Sequence, residues 1–159
     1  MRHPSLVSLS HDHHHGLALA LRCRKQALGQ IKPTGLEGLR ERAKEVCQFF
    51  SSSLAAHFRA EEEVLFPRLQ PLAPGSEAII TGLLSEHEEI RRSIALLETE
   101  GALAKLMFDI GDLLERHIRK EERELFPLFE QHVKDEEAEA VGSEIKKILA
   151  APAAKISGA

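Results

Sequence analysis

Histidine and glutamate stand four residues apart twice in this chain, in two copies of one motif. Residues 57–70 read HFRAEEEVLFPRLQ and residues 117–130 read HIRKEERELFPLFE, and seven of the fourteen paired positions are identical. On an α-helix, side chains four residues apart lie on one face, one turn from each other. A neutral imidazole and a carboxylate placed in this way can bind one metal ion or one edge of a two-metal centre. The repeated spacing therefore predicts that both copies supply ligands to a metal site.

The elements that must position these pairs are helices. Apolar residues recur at intervals of three or four in every long segment, which is typical of helices with one buried face, and no segment alternates with the period of two that indicates a strand. Four long helices with short connections predict an all-α, up-down-up-down four-helix bundle, followed by a short extra C-terminal helix. The predicted helices cover about residues 11–30, 34–66, 76–100, 102–126 and 135–149.

The predicted helix ends depend on residues that start or stop a helix. Ser10 and Ser76 are candidate N-caps, because their hydroxyl groups can accept hydrogen bonds from free backbone N–H groups. Gly101 should end the third helix. Pro67 and Pro127 disfavour helical backbone at the residue before them, so we expect the second and fourth helices to end there. Residues 150–159 should be a frayed tail.

Length and composition favour a single domain over residues 1–159, with the bundle at about 10–130. Charged residues make up 29% of the chain and the net charge is −4, with no basic run for a nucleic acid. No stretch is long and apolar enough to span a membrane, and no secretion signal precedes the first helix. We therefore expect no nucleic-acid or membrane partner and a cytoplasmic location.

Histidine is abundant, with nine residues in a chain that has no tryptophan or tyrosine. In an antiparallel bundle, the late positions of the second and fourth helices lie level with the early positions of the first and third. His57, His87 and His117 lie within apolar stripes and should meet at that level. The first helix offers His13 or His14, and its apolar side favours His13. The same side also carries Arg24, which would need an acidic partner.

Burial of the two motif glutamates is the main reason to expect a metal. A single histidine in an apolar stripe is more often a core residue, and a single histidine–glutamate pair is usually a surface contact. Glu61 and Glu121, however, lie on the faces that their helices bury. An unpaired buried carboxylate costs several kcal/mol, and a cation between two of them removes that cost.

The remaining charged and histidine residues near the motifs fit the solvated surface. This interpretation covers Glu62, Glu63, Glu122 and Arg123, and also His3, His11, His15 and His132. Glu62 or Glu122 could instead hold a ligand histidine in place.

The predicted donors are four imidazole nitrogens and two carboxylates. This set contains no thiolate, so iron–sulfur clusters and cysteine-rich zinc sites are excluded. Six protein ligands are too many for one tetrahedral zinc ion. They suit two octahedral, non-haem iron ions that share bridging carboxylates and an oxo or hydroxo ligand, with manganese or zinc as substitutes.

The order of these motifs resembles the hemerythrin-like (HHE cation-binding) family over about residues 10–130. The resemblance implies that His13 or His14, His57, His87 and His117 are terminal ligands of a di-iron centre, and that Glu61 and Glu121 are its bridging carboxylates. The family includes dioxygen carriers, oxygen or redox sensors and iron-handling proteins. The carriers have a further histidine one turn after the one in the third helix, where this chain has Arg91. This difference favours reactions with oxygen, peroxide or nitric oxide, or iron binding, over reversible dioxygen carriage.

Three functions follow as hypotheses. The first is a di-iron-binding protein that responds to dioxygen, peroxide or nitric oxide, or that handles iron. The second is a di-iron enzyme that turns over peroxide or dioxygen. The third is a helical interaction domain that needs no metal. The sequence contains no catalytic nucleophile with its base and no nucleotide or organic-cofactor motif. It indicates a small diatomic or peroxide ligand and does not identify a protein partner.

Overall fold

The computed structural model describes residues 1–100 and 103–151. Within these residues the regular secondary structure is helical and there is no strand, which confirms the all-α class. A 3₁₀ turn at Pro4–Leu6 leads into eight α-helical segments: α1 Val7–Ala27, α2 Gly35–Phe49, α3 Ala55–Ala60, α4 Phe66–Leu69, α5 Ser76–Glu100, α6 Ala104–Lys120, α7 Phe126–His132 and α8 Asp135–Ala150.

Several of these segments are continuous and form long rods. Wider π-helical turns at Phe50–Leu54 and Glu61–Leu65 join α2, α3 and α4 into one rod, and a third at Glu121–Leu125 joins α6 to α7. We refer to α1, α2–α4, α5 and α6–α7 as the first, second, third and fourth rods. Together with α8 they make a bundle of five helices.

The second and fourth rods continue past their prolines, so the predicted helix ends at residue 66 and residue 126 are wrong. Pro67 is followed by helix to Leu69, and Pro127 by helix to His132. Proline removes a backbone N–H and its ring clashes with the carbonyl four residues earlier. In both rods a π-helical turn stands directly before the Phe–Pro pair, and its wider hydrogen-bond spacing changes the register at the place where this clash would arise.

Other predicted ends also differ from the structure. Pro4 begins the 3₁₀ turn, and Ser10 lies inside α1 instead of capping it. Ser76 is the first residue of α5, where its hydroxyl donates to the Ala73 carbonyl oxygen over 2.7 Å. The predictions at Gly101 and Ala102, and most of the predicted tail, concern residues outside those described. The C-terminal helix begins at Asp135 as predicted.

Two apolar clusters divide the bundle along its length. The first includes Phe66, Phe126 and the apolar side of α8, and the second includes most apolar residues of α6 and the inner side of α2. Each rod has a short segment with a residue of the first cluster at one end and a residue of the second cluster at the other. Four such segments therefore lie between the two clusters. These flanking pairs, first cluster then second, are Leu9 and Leu19, Leu65 and Leu54, Leu83 and Ile90, and Leu125 and Leu114.

Close contact between the first and fourth rods depends on two glycines. A Cβ atom at Gly16 would lie 2.7 Å from Ile118 Cδ1, and one at Gly111 would lie 2.6 Å from the Ala20 carbonyl oxygen. The contact at Gly111 is with backbone, which cannot give way, so glycine is required there; at Gly16 the end of the Ile118 side chain would have to move. No helix in the described residues is both long and apolar enough to cross a membrane.

Candidate metal centre

The six predicted ligand residues lie together between the two apolar clusters and are almost fully buried. His13 is 3% exposed, and the other five are at most 1% exposed. They form two groups that share both glutamates, and within each group one ligand atom per residue lies within 4.8 Å of the others. We call the first group the His13–His57 half and the second the His87–His117 half. All six together are the candidate centre, with members His13, His57, Glu61, His87, His117 and Glu121.

Each glutamate presents one carboxylate oxygen to each half. Glu61 Oε2 is 3.2 Å from His57 Nε2, and Glu61 Oε1 is 3.1 Å from His87 Nε2. Glu121 Oε1 is 2.9 Å from His13 Nε2, and its Oε2 is 3.7 Å from His117 Nε2. A carboxylate in this orientation can bridge two cations, one on each oxygen.

The polar atoms at the middle of the candidate centre fit a bound cation. Among the described residues, six of these buried atoms have no hydrogen-bond partner: Nε2 of His57, His87 and His117, both carboxylate oxygens of Glu61, and Oε2 of Glu121. The short distances between them do not have the angles of hydrogen bonds. A buried polar atom without a partner costs about 1–3 kcal/mol. A cation satisfies all six, because imidazole nitrogen and carboxylate oxygen are metal ligands.

The outer nitrogen of each histidine contacts a carboxylate that is not itself in the candidate centre. Nδ1 of His57 is 3.0 Å from Asp12, and Nδ1 of His117 is 2.8 Å from Glu86. The corresponding distances are 2.6 Å from His87 to Glu62 and 2.6 Å from His13 to Glu122. An Nδ1–H that donates to a carboxylate leaves Nε2 as the free lone pair, which is how metal-binding histidines are usually held.

These four outer contacts form a closed ring around the bundle. The acid on the first rod (Asp12) contacts the histidine of the second, and the acid on the second rod (Glu62) contacts the histidine of the third. The acid on the third rod (Glu86) contacts the fourth rod, and Glu122 on the fourth contacts the first. Each rod therefore supplies one ligand histidine and the carboxylate that orients a neighbour's histidine.

The outer acids correct one interpretation from the sequence and add two residues to it. Glu62 and Glu122 are not simply part of the solvated surface, because both orient candidate ligands and are only partly exposed. The motif spacing gives neither Asp12 nor Glu86 a role at the candidate centre. A signal was present, since each of the four acids is adjacent in sequence to a candidate ligand. Helical geometry directs the adjacent residue toward a different rod, so the partner is not the neighbouring histidine.

The structure places the remaining histidines outside the candidate centre. His14 is exposed, so the geometry favours His13 over His14 as the residue from the first rod. His11 and His15 are also exposed, as expected for surface residues. His3 and His132 are partly buried, but neither belongs to the candidate centre.

Two arginines near the ligand stripes find acidic partners. Arg24 Nη2 lies 2.7 Å from Glu115 Oε1, which supplies the partner that its position on the inner side of α1 requires. Arg91, at the place of the carriers' additional histidine, does not enter the candidate centre. Its Nη2 is 3.0 Å from Glu62, and its Nη1 is 2.6 Å from Glu88. Arg91 therefore contacts the carboxylate that orients His87.

Aromatic rings cover the ligand imidazoles. Phe126 stacks on His13 with a centroid separation of 5.4 Å, and Phe66, the equivalent residue of the other motif copy, stacks on His87 at 5.8 Å. His87 has a second, closer ring, Phe58, at 3.8 Å and 15°. These rings limit water around the ligands and reduce their rotational freedom.

The electrostatics keep the buried carboxylate of Glu61 ionised. Burial alone would raise the pKa of Glu61, but the charge of His57 and the contacts to both neighbouring imidazoles hold this pKa well below its usual value. For His57, burial acts to lower the pKa, and Glu61 and Asp12 outweigh it and raise it. A cation between the carboxylates would replace the histidine protons, so metal binding should release protons.

Three of the four outer acids are also held in their charged form. Partial burial acts to raise the pKa of Glu62, Glu86 and Glu122, but the histidine that each one contacts helps to lower it below the usual value. Basic or hydroxyl groups assist at each position: Arg91 for Glu62, Lys120 for Glu86, and Ser10 with Arg2 for Glu122. Charged outer acids make the imidazoles stronger donors to a metal ion.

Comparison with known proteins agrees with this geometry. A family model described as the hemerythrin HHE cation-binding domain matches residues 5–129 of the 159-residue chain. No curated protein and no solved structure matches the chain. The matched region contains all six members of the candidate centre and the four outer acids. The chain belongs to the hemerythrin HHE cation-binding family.

Proposed function

We propose that this chain binds two non-haem iron ions, one in each half of the candidate centre, and responds to dioxygen, peroxide or nitric oxide or handles iron. The observation that carries this proposal is the set of six buried ligand atoms that have no other partner among the described residues. Glu61 and Glu121 each direct one carboxylate oxygen to each half of the candidate centre. This arrangement supports two bound ions over one. Family membership supports a cation as the ligand.

Iron suits the donor set best. Each half offers two imidazole nitrogens and two carboxylate oxygens, a set of intermediate hardness that iron, manganese and zinc can all use. Four protein donors occupy a tetrahedral zinc ion completely but leave two positions of an octahedral iron ion for water or an exogenous ligand. When bound, two iron ions would supply redox chemistry, and the chain would orient the ligands, exclude water and hold the imidazole protons on the outer acids.

The proposal includes the up-down-up-down arrangement of the rods. Its support is the order of the apolar clusters along the chain. The first cluster precedes the candidate histidine on the first and third rods and follows it on the second and fourth. Antiparallel neighbours would give this order, and they would bring late residues of two rods level with early residues of the other two.

Iron loading without oxygen, followed by air or peroxide, tests the proposal. We expect two ions per chain and ligand-to-metal charge-transfer absorption in the near ultraviolet. Chelation should lower the melting temperature, because a site that binds only the folded state stabilises it by several kcal/mol when saturated. A protein that takes up no iron and whose melting temperature chelation leaves unchanged would favour the metal-independent interaction domain, and iron uptake without these bands would contradict the bridged pair.

Turnover is the second candidate function. The feature that favours it is Arg91, whose contacts with Glu62 and Glu88 leave the third rod with His87 as its one member of the candidate centre. Fewer protein donors mean more positions for an exogenous ligand. Peroxide consumption that continues over many cycles and is lost in His117→Ala would support an enzyme. Reaction that stops after one equivalent would support a binding or sensing protein.

A further inference from the structure

The outer face of α1 carries a second pair of imidazoles. His11 and His15 lie two residues before and two residues after His13, so they point away from the candidate centre that His13 faces. Both are exposed to solvent. Their Nε2 atoms are 3.4 Å apart, on side chains that are one helical turn from each other.

This separation matches what one metal ion requires of two nitrogen ligands. Zinc–nitrogen bonds are about 2.0–2.1 Å long, and at a tetrahedral angle two such nitrogens lie roughly 3.3 Å from each other. Without an ion, a long hydrogen bond between the Nε2 atoms and an edge-to-face contact of the rings, with centroids 4.9 Å apart and planes at 83°, hold the pair together. Among the described residues, neither ring has another hydrogen-bond or ionic partner.

We propose that His11 and His15 form a surface site for one borderline divalent cation, Zn²⁺ or Cu²⁺, that is separate from the candidate centre. The two Nε2 atoms would be its protein ligands. Imidazole suits both ions, and a rigid helix holds the pair at its ligating distance before the ion arrives. Iron is less suited, because an exposed pair without a carboxylate favours the ions at the end of the divalent affinity order.

Open space beside the two histidines admits the remaining ligands. His11 lines a cleft of about 730 Å³ between α1, the second rod and α8, and His15 lines one of about 330 Å³ between α1 and the second rod. Water can therefore complete the coordination. Asp12 lines both clefts and contacts His57, so the proposed ion would lie on the His13–His57 side of the bundle.

Zinc counting in the full-length chain, prepared without a polyhistidine tag, tests this proposal. The single variants His11→Ala and His15→Ala should each bind one ion fewer than the unmodified chain at saturation. His14→Ala is the matched control, because His14 is exposed on the same helix and belongs to neither metal group. That variant should keep the full count. Circular dichroism would verify that all three variants fold alike.

The count by difference separates this site from the candidate centre. If the centre binds two zinc ions, the total falls from three to two, and if the centre binds none, the total falls from one to zero. With Cu²⁺, electron paramagnetic resonance should show two nitrogen ligands in the unmodified chain that are lost in both variants. Equal ion counts in His11→Ala, His15→Ala and His14→Ala would overturn the proposal.

Discussion

The two copies of the motif supply similar candidate ligands but give them different surroundings. The ring centroids of His13 and His57 are 4.8 Å apart, and so are those of His87 and His117. The positions that are identical in both copies supply the candidate ligands and one outer acid each. The identical residues Phe66 and Phe126 cover one histidine in each half, and the differing position Phe58, whose equivalent is Ile118, adds a second ring on His87.

One of these differences changes the charge near an outer acid. Lys120 Nζ lies 3.7 Å from Glu86, the acid that orients His117. The equivalent residue in the other copy is Ala60, which is buried, and in the described residues no lysine or arginine lies within salt-bridge distance of Asp12. The negative charge of Asp12 therefore acts on His57 without a cation to reduce it. The repeated motif gives the two halves the same kinds of donor atoms. The difference between Lys120 and Ala60 can give the two halves different metal affinities.

The largest effect should come from a ligand that both halves share. Glu61→Gln removes the charge that faces His57 and His87, and an amide nitrogen cannot bridge two cations. We expect loss of both ions, measured as metal content after loading and desalting. Glu63→Gln, an exposed position on the same rod, should keep both. Retention of two ions in Glu61→Gln would show that Glu61 does not connect the halves.

Removal of one histidine should affect one half. His57→Ala should leave an ion in the His87–His117 half, and His117→Ala should leave one in the His13–His57 half. Each variant should therefore bind one iron ion per chain and lose the absorption that depends on two bridged ions. If either variant lost both ions, the two halves would not be separable.

Much of the candidate centre could be predicted from the sequence, because burial of a carboxylate is costly and the spacing of four is diagnostic on a helix. The ring of outer acids could not, because each contact crosses between rods and depends on their relative rotation. Asp12 precedes His13 in the chain but contacts His57. The helix ends at Pro67 and Pro127 were wrong for a related reason. A π-helical turn is a response to local crowding that apolar periodicity does not reveal.

The outer acids offer a sharper test of the difference between the halves. Asp12→Asn neutralises the acid that orients His57, and Glu86→Gln neutralises the acid that orients His117. Loss of such a partner typically weakens metal binding by about 10–100-fold. We expect the larger loss for Asp12→Asn, because Lys120 already offsets part of the charge of Glu86. Competition with a chelator of known affinity measures both, and the opposite order would contradict this account.

The smallest effect should come from Lys120 itself. Lys120→Ala removes the cation near Glu86 and makes this position of the fourth rod resemble Ala60 of the second. Metal affinity of the His87–His117 half should rise by less than about fivefold, because partly exposed ion pairs contribute only about 0.2–1 kcal/mol. Lys120→Arg keeps the charge and is the control. A fall in affinity for Lys120→Ala, measured in the same competition assay, would show that the lysine assists the metal.

The ring of outer acids also bears on how the two sequence halves depend on each other. Asp12 and His57 both come from the first half of the chain, and Glu86 and His117 both come from the second. The other two contacts join the two halves of the sequence: Glu62 of the first half contacts His87 of the second, and Glu122 of the second contacts His13 of the first. Neither half contains a complete set of ligands with their supporting acids. Two separately produced fragments, divided in the connection at residues 70–75, would each lack part of the candidate centre. Metal binding would therefore favour their association.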